Sequence, residues 1–361
     1  IEINYSKKEY LKKMFNINGR TIGRDYAPYI IAELSANHGG SIESAKLAIT
    51  VAKESGASAV KIQTYTPDTM TIASEKPDFK INDGLWKGYT LYDLYKEAYT
   101  PFEWHKELFD FAKDKDITLF SSPFDETAVD LLQDLGAPAY KIASFELVDL
   151  PLIKRAAECA KPLLMSTGMA SIDEVREALN VALKYGCGDV LLFHCISSYP
   201  APVADSNLKN IEFLRSEFGI EVGLSDHTMS NLASTISIGL GASAIEKHFK
   251  PSADIIGPDS SFSITPNQLK KLVSGCNDAW SSLGKAGFQR SSSEEGSRKH
   301  RRSLYFMNDL TKGSLIKSCD IRAIRPGNGI SPKFANEIIG KTLSIDVERG
   351  DPVLFEAFLT Q

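Results

Sequence analysis

Eight short apolar runs, each closing on polar residues capable of chemistry, recur along this chain with gaps long enough for one or two helices. They are YIIAEL (29–34), AVKIQTY (59–65), TLFSSPF (118–124), AYKIAS (139–144), LLMSTG (163–168), VLLFHCI (190–196), EVGLSDH (221–227) and AIEKHF (244–249). Strands alternating with helices predict a parallel sheet, and eight units predict closure into an α/β architecture, the (β/α)8 or TIM barrel. In such a barrel the chemistry gathers where the strands end. The polar clusters that close the runs are therefore the candidate site, and the apolar residues before them fill the barrel or lie under its helices.

A barrel of this kind needs roughly 250 residues, so a chain of 361 has room for one more small domain. The reading assigns 1–285 to a leader and barrel, 286–300 (AGFQRSSSEEGSRKH) to a polar linker, and 301–361 to a small mostly-β domain with short strands and repeated KG and RG turns. Residues 1–28 read as a polar leader followed by a hairpin at NGRTIG that covers the closed end of the barrel. Helix punctuation is clear: Ser171 with Glu174 forms a capping box, Pro101 and Pro266 sit near first turns, and Gly219 and Gly284 stand where helices stop. Residues 66–99 are too long for a plain connector and predict a substrate-facing loop with a short extra helix. The terminal domain is small enough to gain from docking on another surface, such as a second subunit.

A formal net charge of −5 gives no general attraction to nucleic acid or to anionic membrane, so an anionic ligand must be gathered by local positive charge. No apolar run approaches the length of a membrane span, and the first residues lack the apolar core of a secretory signal; the expectation is a cytoplasmic protein. Five cysteines, odd in number and without a CxxC pair, argue against a disulfide framework and a thiolate zinc site, and read as reduced and mostly buried.

Two lysines, Lys61 and Lys141, lie inside otherwise apolar strands, where a lysine is rare unless paired. Structurally they would pair with Glu33 or Glu146; functionally they would hold an anion. The hydroxyls of Ser122, Ser144, Ser166, Thr167 and Ser225 end other strands and could bond the same anion, with Gly168 letting backbone amides approach. Such a ring suits a phosphate plus a carboxylate. Of the histidines, His105 reads as helix surface, His300 as linker and His194 as strand core. His227 and His248 close adjacent strands and point two imidazoles at one mouth, leaving positions open for water or substrate oxygen on a catalytic metal; zinc, manganese and cobalt all suit the ligand type. Glu246 shares a strand face with His248 and could partner Lys61 or Lys141. Glu33 is the better candidate for handling a proton, and Asp226 reads as an orienter of histidine.

In order and spacing, IIAELSANHGGS, AVKIQTYTPDTMT, FSSPF, AYKIASFE, MSTGM, SSYPAP, GLSDHT and IEKHF resemble the sialic acid synthases (NeuB-like), over about residues 17 to 358. The segments IRPGNGISPKF and IGKTLSIDVERGD look like the antifreeze-like, or SAF, domain that ends those enzymes. IQTYTPDTMT with DGLW, LYDLY and TPFEWH looks most like the pseudaminic acid branch, whose substrate is 2,4-diacetamido-2,4,6-trideoxy-L-altrose. The resemblance implies condensation of phosphoenolpyruvate with an amino-sugar aldehyde. It also implies a divalent ion, typically Mn2+ with Mg2+ or Co2+ as substitutes, on His227 and His248. Lys61, Lys141, Ser144, Ser166 and Ser225 would surround phosphoenolpyruvate, with Gln63 and Ser122 nearby. Glu33 would position water, Glu146 would contact the substrates, and Tyr199 and Asp259 would face the sugar. Arg325 would reach into the barrel of the other subunit, making a domain-swapped homodimer. Ser197 departs from the asparagine common at its position in sialic acid synthases, which weakens N-acetylmannosamine as the substrate. The rival readings are an N-acetylneuraminate or legionaminate synthase, a Schiff-base aldolase acting through Lys141, and a carbohydrate-binding or ice-binding protein.

Overall fold

The computed structural model of the chain describes residues 14–358. It divides into two compact units, one ending at Gly284 and the other beginning at Lys285. The first opens with an antiparallel hairpin, β1 (Phe15–Ile17) and β2 (Arg20–Ile22), turned by Asn18 and Gly19, both in the left-handed region at φ 49° and 84°. Only glycine and, among the rest, small polar residues such as asparagine take that conformation readily, which is why Asn-Gly marks the turn. The polar leader expected before the hairpin falls largely outside the described residues.

Eight parallel strands close the barrel: β3 (Tyr29–Glu33), β4 (Ala59–Thr64), β5 (Thr118–Pro123), β6 (Tyr140–Ile142), β7 (Leu163–Ser166), β8 (Val190–Cys195), β9 (Glu221–Ser225) and β10 (Ala244–His248). The ring is sealed by β10 against β3, with His248 level with Glu33. Each strand ends one or two residues before its apolar run does, so Ser144, Gly168 and His227 sit in the first turns beyond the strands.

Around the ring lie α1 (Ile42–Glu54), α2 (Pro67–Met70), α3 (Leu91–Ala98), α4 (Phe102–Asp114), α5 (Glu126–Asp134), α6 (Leu150–Glu158), α7 (Ile172–Lys184), α8 (Asn210–Phe218), α9 (Leu232–Gly239) and α10 (Pro266–Leu283). The capping box of α7 forms as read, Ser171 Oγ accepting from the Glu174 amide and Glu174 reaching back to the Ser171 amide; Gly219 ends α8 in the left-handed conformation at φ 68°. The 66–99 segment holds two helices, α2 and α3, separated by a ribbon between 80 and 90. His105 corrects its reading as a surface residue. It is fully buried on the inner face of α4, where Nε2 meets Thr64 Oγ1 at 2.8 Å and Nδ1 meets the Pro101 carbonyl at 3.0 Å.

Strand alternation layers the barrel interior. Ile31, Ala59, Phe120, Ala139, Leu164, Leu191, Phe193 and Ala244 form an apolar floor, closed from below by Phe15, Ile17 and Ile22 of the hairpin. Two residues further along the same strands the inward positions turn polar: Glu33, Lys61, Ser122, Lys141, Ser166, Cys195, Ser225 and Glu246. The outward residues meet the helices in the larger cluster that runs from Ile30 to Cys276.

The second unit pairs β11 (Ser303–Phe306) with β12 (Ile321–Ile324) and adds single bridges such as Leu310 to Val347 and Leu343 to Phe358. Its core is ten buried apolar residues centred on Leu304, Phe306, Leu343 and Val353. The Lys299 carbonyl accepts from the Gly327 amide at 2.9 Å, so the end of the polar segment read as a linker is tied into this unit.

Gly223 on β9 sits at a close-packed point of the barrel wall. A Cβ there would lie 2.6 Å from the Ala244 carbonyl oxygen and 2.7 Å from the ring of Phe193, and the backbone atom cannot swing away. Gly223→Ala should cost about 1–3 kcal/mol of stability by overpacking, read as a lowered midpoint in denaturant unfolding; an unchanged midpoint would refute the steric argument.

Candidate active site at the carboxyl end of the barrel

Four buried charges meet above the apolar floor. Lys61 Nζ lies 2.8 Å from Glu33 and 3.7 Å from Glu246, while Lys141 Nζ donates to both oxygens of Glu246 at 2.9 and 3.1 Å. Neutral groups complete the cluster: Gln63 Nε2 donates to Glu33 at 3.0 Å, Ser225 Oγ donates to Glu246 at 3.0 Å, and Ser122 Oγ accepts from Lys61 at 3.0 Å. The Lys141 ammonium stands 5.2 Å over the ring of Phe193.

The environment separates the roles of these groups. Burial alone would push the Glu246 carboxyl up, but Lys141 and Lys61 outweigh it and hold it at about 2. Burial dominates at Glu33, whose carboxyl is raised despite Lys61, and at Lys141, whose ammonium is lowered despite Glu246. At Lys61 the two carboxylates overcome burial and raise the ammonium. The structural and functional readings of the lysines thus coincide in one cluster: they pair with Glu33 and Glu246, and Glu146 stands apart from the pairs. Glu146 lies in the turn after β6 with Oε2 buried and unpartnered, and its burial raises the carboxyl to about 7.

The two imidazoles converge at the mouth, 5.4 Å between ring centroids. Nδ1 of His227 is 2.9 Å from the Ile196 carbonyl and must donate to it, so in the neutral ring Nε2 is the nitrogen that carries the lone pair. Nδ1 of His248 is buried without a hydrogen-bond partner, 4.0 Å from Asp259. A neutral imidazole with its tautomer set by a backbone carbonyl is what a metal-binding histidine requires, so the pair suits a divalent ion with further positions left to small ligands. Among the described residues no group of three or more His, Cys, Asp and Glu is arranged to hold a metal.

Above the β6 and β7 ends, Gly168 brings its amide to Ser144 Oγ at 3.2 Å. A side chain at 168 would run into Ser197 Oγ and lie 2.7 Å from Ser144 Oγ, so glycine is needed for this approach. Ser166 Oγ is buried nearby without a partner. Asp259 accepts from Ser35 Oγ and, at 3.4 Å, from the Ala36 amide. Tyr199 stacks 4.3 Å from His227 and 5.2 Å from Phe262.

Two expected site residues face elsewhere. Asp226 points out of the barrel, because alternation turns it away once Ser225 faces in. It pairs with Lys247 at 2.8 Å, accepts from Ser234 Oγ at 2.5 Å, and does not touch His227; the Ile196 carbonyl orients that ring instead. Thr167 likewise spends its hydroxyl on the Phe193 carbonyl at 3.2 Å and lines a cleft of about 320 Å³ with His194, Cys195 and Phe213. Arg325 belongs to the second unit, at the residue following β12.

Several neighbours went unread in the sequence. Cys195, 3.8 Å from His227 Nδ1, could have been found from its inward parity with Leu191 and Phe193. Ser35, at φ 45°, carries no local signal for its bond to Asp259, and neither Phe262 beside His248 nor Trp86 beside Tyr199 has one for its place.

Comparison with known proteins then connects this geometry to a lineage. A pseudaminic acid synthase of Campylobacter jejuni subsp. jejuni is 41% identical over 327 residues, covering 91% of this chain and 95% of that protein. An N,N'-diacetyllegionaminic acid synthase of Legionella pneumophila subsp. pneumophila is 38% identical over 347 residues, covering 94% of this chain and 97% of that one. The crystal structure of an N-acetylneuraminic acid (sialic acid) synthetase of Leptospira borgpetersenii serovar Hardjo-bovis, in complex with citrate, matches with a TM-score of 0.70 at 28% identity, covering 79% of this chain and 94% of that chain. The NeuB family profile covers residues 48–287 and the SAF domain profile covers 301–359, and on that evidence the chain belongs to the NeuB family and ends in a SAF domain.

Proposed function

We propose that this chain condenses phosphoenolpyruvate with 2,4-diacetamido-2,4,6-trideoxy-L-altrose and water, giving pseudaminic acid and phosphate. The observation that carries the reading is the pairing of two buried lysines with two converging imidazoles in a chain 41% identical to a pseudaminic acid synthase over 91% of its length. C3 of phosphoenolpyruvate attacks the sugar aldehyde carbon, water oxygen adds at C2, and the C2–O bond to phosphate breaks, leaving a 2-keto sugar acid. A divalent ion on His227 and His248, manganese first and magnesium or cobalt as substitutes, supplies Lewis acidity at the aldehyde oxygen when bound.

The chain's own groups do the rest. Lys61 and Lys141 receive the phosphate and carboxylate, helped by Ser144, Ser166, Ser225 and the Gly168 amide. In the structure their charge is balanced by Glu33 and Glu246. Of these two, Glu33 has the raised carboxyl, so a proton on Glu33 leaves a net positive cluster for the incoming anion. The same proton stands where a water at C2 could exchange it. Glu246, held as a carboxylate, keeps Lys141 fixed in place by accepting from its ammonium on both oxygens.

We extend the proposal to a domain-swapped homodimer in which Arg325 serves the sugar site of the other subunit. No helix among the described residues is long and apolar enough to cross a membrane, and we place the reaction in the cytoplasm.

Phosphate release from phosphoenolpyruvate should occur with the trideoxy-L-altrose sugar, fall away with N-acetylmannosamine and the legionaminate-pathway sugar, stop on chelation and return with Mn2+. A preference for either other sugar would overturn the substrate assignment. Lys61→Met should cut kcat/KM for phosphoenolpyruvate more than 100-fold and, by leaving Glu33 and Glu246 with one ammonium, lower stability by about 3–5 kcal/mol. Full activity in that variant would remove Lys61 from the anion site. Mixing Lys61→Met and Arg325→Ala chains should restore activity that neither has alone, since one barrel of the mixed dimer is then complete; no recovery would count against the swap.

A further inference from the structure

The long segment after β4 sends one side chain into the site. Between 80 and 90 it folds as a narrow ribbon, with Lys80 bridged to Thr90, the Ile81 amide bonded to the Tyr89 carbonyl at 2.9 Å and the Gly88 amide to the Ile81 carbonyl at 3.0 Å. Trp86 stands at its tip, and its indole Nε1 donates to the Pro258 carbonyl at 2.9 Å, which fastens the ribbon to the loop beyond β10.

The indole extends an aromatic wall that begins at the imidazoles. Tyr199 lies 4.3 Å from His227 and Phe262 lies 5.0 Å from His248; Trp86 is one ring further out, 5.9 Å from Tyr199 and 6.3 Å from Phe262. Because its only N–H is spent on Pro258, Trp86 offers a ligand carbon surface and no donor.

An amino-sugar aldehyde with its carbonyl at the two imidazoles would have this wall available to the far end of its six-carbon chain. In the trideoxy sugar that end is a methyl group, and in N-acetylmannosamine it is a hydroxymethyl. A methyl gains by leaving water for aromatic carbon, whereas a hydroxyl there loses its hydrogen bonds to water and finds no replacement. We infer that Trp86 is a specificity-determining residue, selecting sugars that end in a 6-deoxy methyl group over those that end in a hydroxymethyl. The inference rests on the synthase reading above and deepens it.

The test compares kcat/KM for two sugars that differ only at C6, 2,4-diacetamido-2,4,6-trideoxy-L-altrose and its 6-hydroxy analogue, in the full-length wild type, Trp86→Ala and Trp86→Phe. A wild-type preference for the methyl sugar of about 10- to 100-fold is expected, the range one apolar group can supply in such a pocket. In Trp86→Ala that ratio should collapse toward one with KM for phosphoenolpyruvate unchanged, and in Trp86→Phe, which keeps the ring but loses the bond to Pro258, most of it should return. An equal loss for both sugars in Trp86→Ala, with the ratio intact, would make Trp86 a structural pin and overturn the inference while leaving the synthase reading standing. Absence of turnover in the wild type with either sugar would overturn both.

Discussion

Two ammoniums and two carboxylates are buried together at the centre of this barrel, and the rest of the site is arranged around that balance. None of the four groups could stay charged there alone, because desolvation of a single buried ion costs several kcal/mol. Lys61 touches Glu33 and Glu246, and Glu246 also holds Lys141, so the cluster is a chain of shared partners in which each member is kept in place by another. Its unequal proton affinities, with Glu246 held low and Glu33 pushed up by burial, give a neutral assembly that turns positive by taking up one proton.

Closure of the ring is what brings these groups together. Lys61 and Lys141 are on β4 and β6, whereas Glu246 is on β10, and only a sheet that returns on itself lets β10 share a rim with β3. The apolar floor beneath them, packed against Phe15, Ile17 and Ile22 of the hairpin, closes the amino end of the barrel with buried apolar side chains. Gly223 serves the same floor by making room for the Phe193 ring under Lys141.

At the mouth the design changes from ion pairs to fixed dipoles and rings. His227 is oriented by the carbonyl of Ile196, and the β3 and β10 loops are tied by Asn37, which donates to the Phe249 carbonyl and to Ser263, and by Ser35 bonded to Asp259. These ties come from segments more than 200 residues apart, so the position of Asp259 beside His248 depends on two loops meeting correctly. Trp86 adds a third, from a segment that no barrel requires for closure.

Most of the framework was legible in the order of residues. Eight apolar runs with helical intervals imply the closed sheet, and alternation within each run places Lys61, Lys141, Glu246 and His248 on the inner face, because side-chain direction in a strand has period two and needs no knowledge of the partner strand. The same rule, applied strictly, would have turned Asp226 and Thr167 outward; they were misread because a polar residue at a strand end looks alike on either face. What no local pattern carried was pairing across the ring: that Glu246 serves both lysines, that His105 is buried against Thr64, that a backbone carbonyl orients His227, and that Trp86 reaches Pro258 across 172 positions. Those contacts depend on distances between distant segments, and such distances exist only once the barrel has closed.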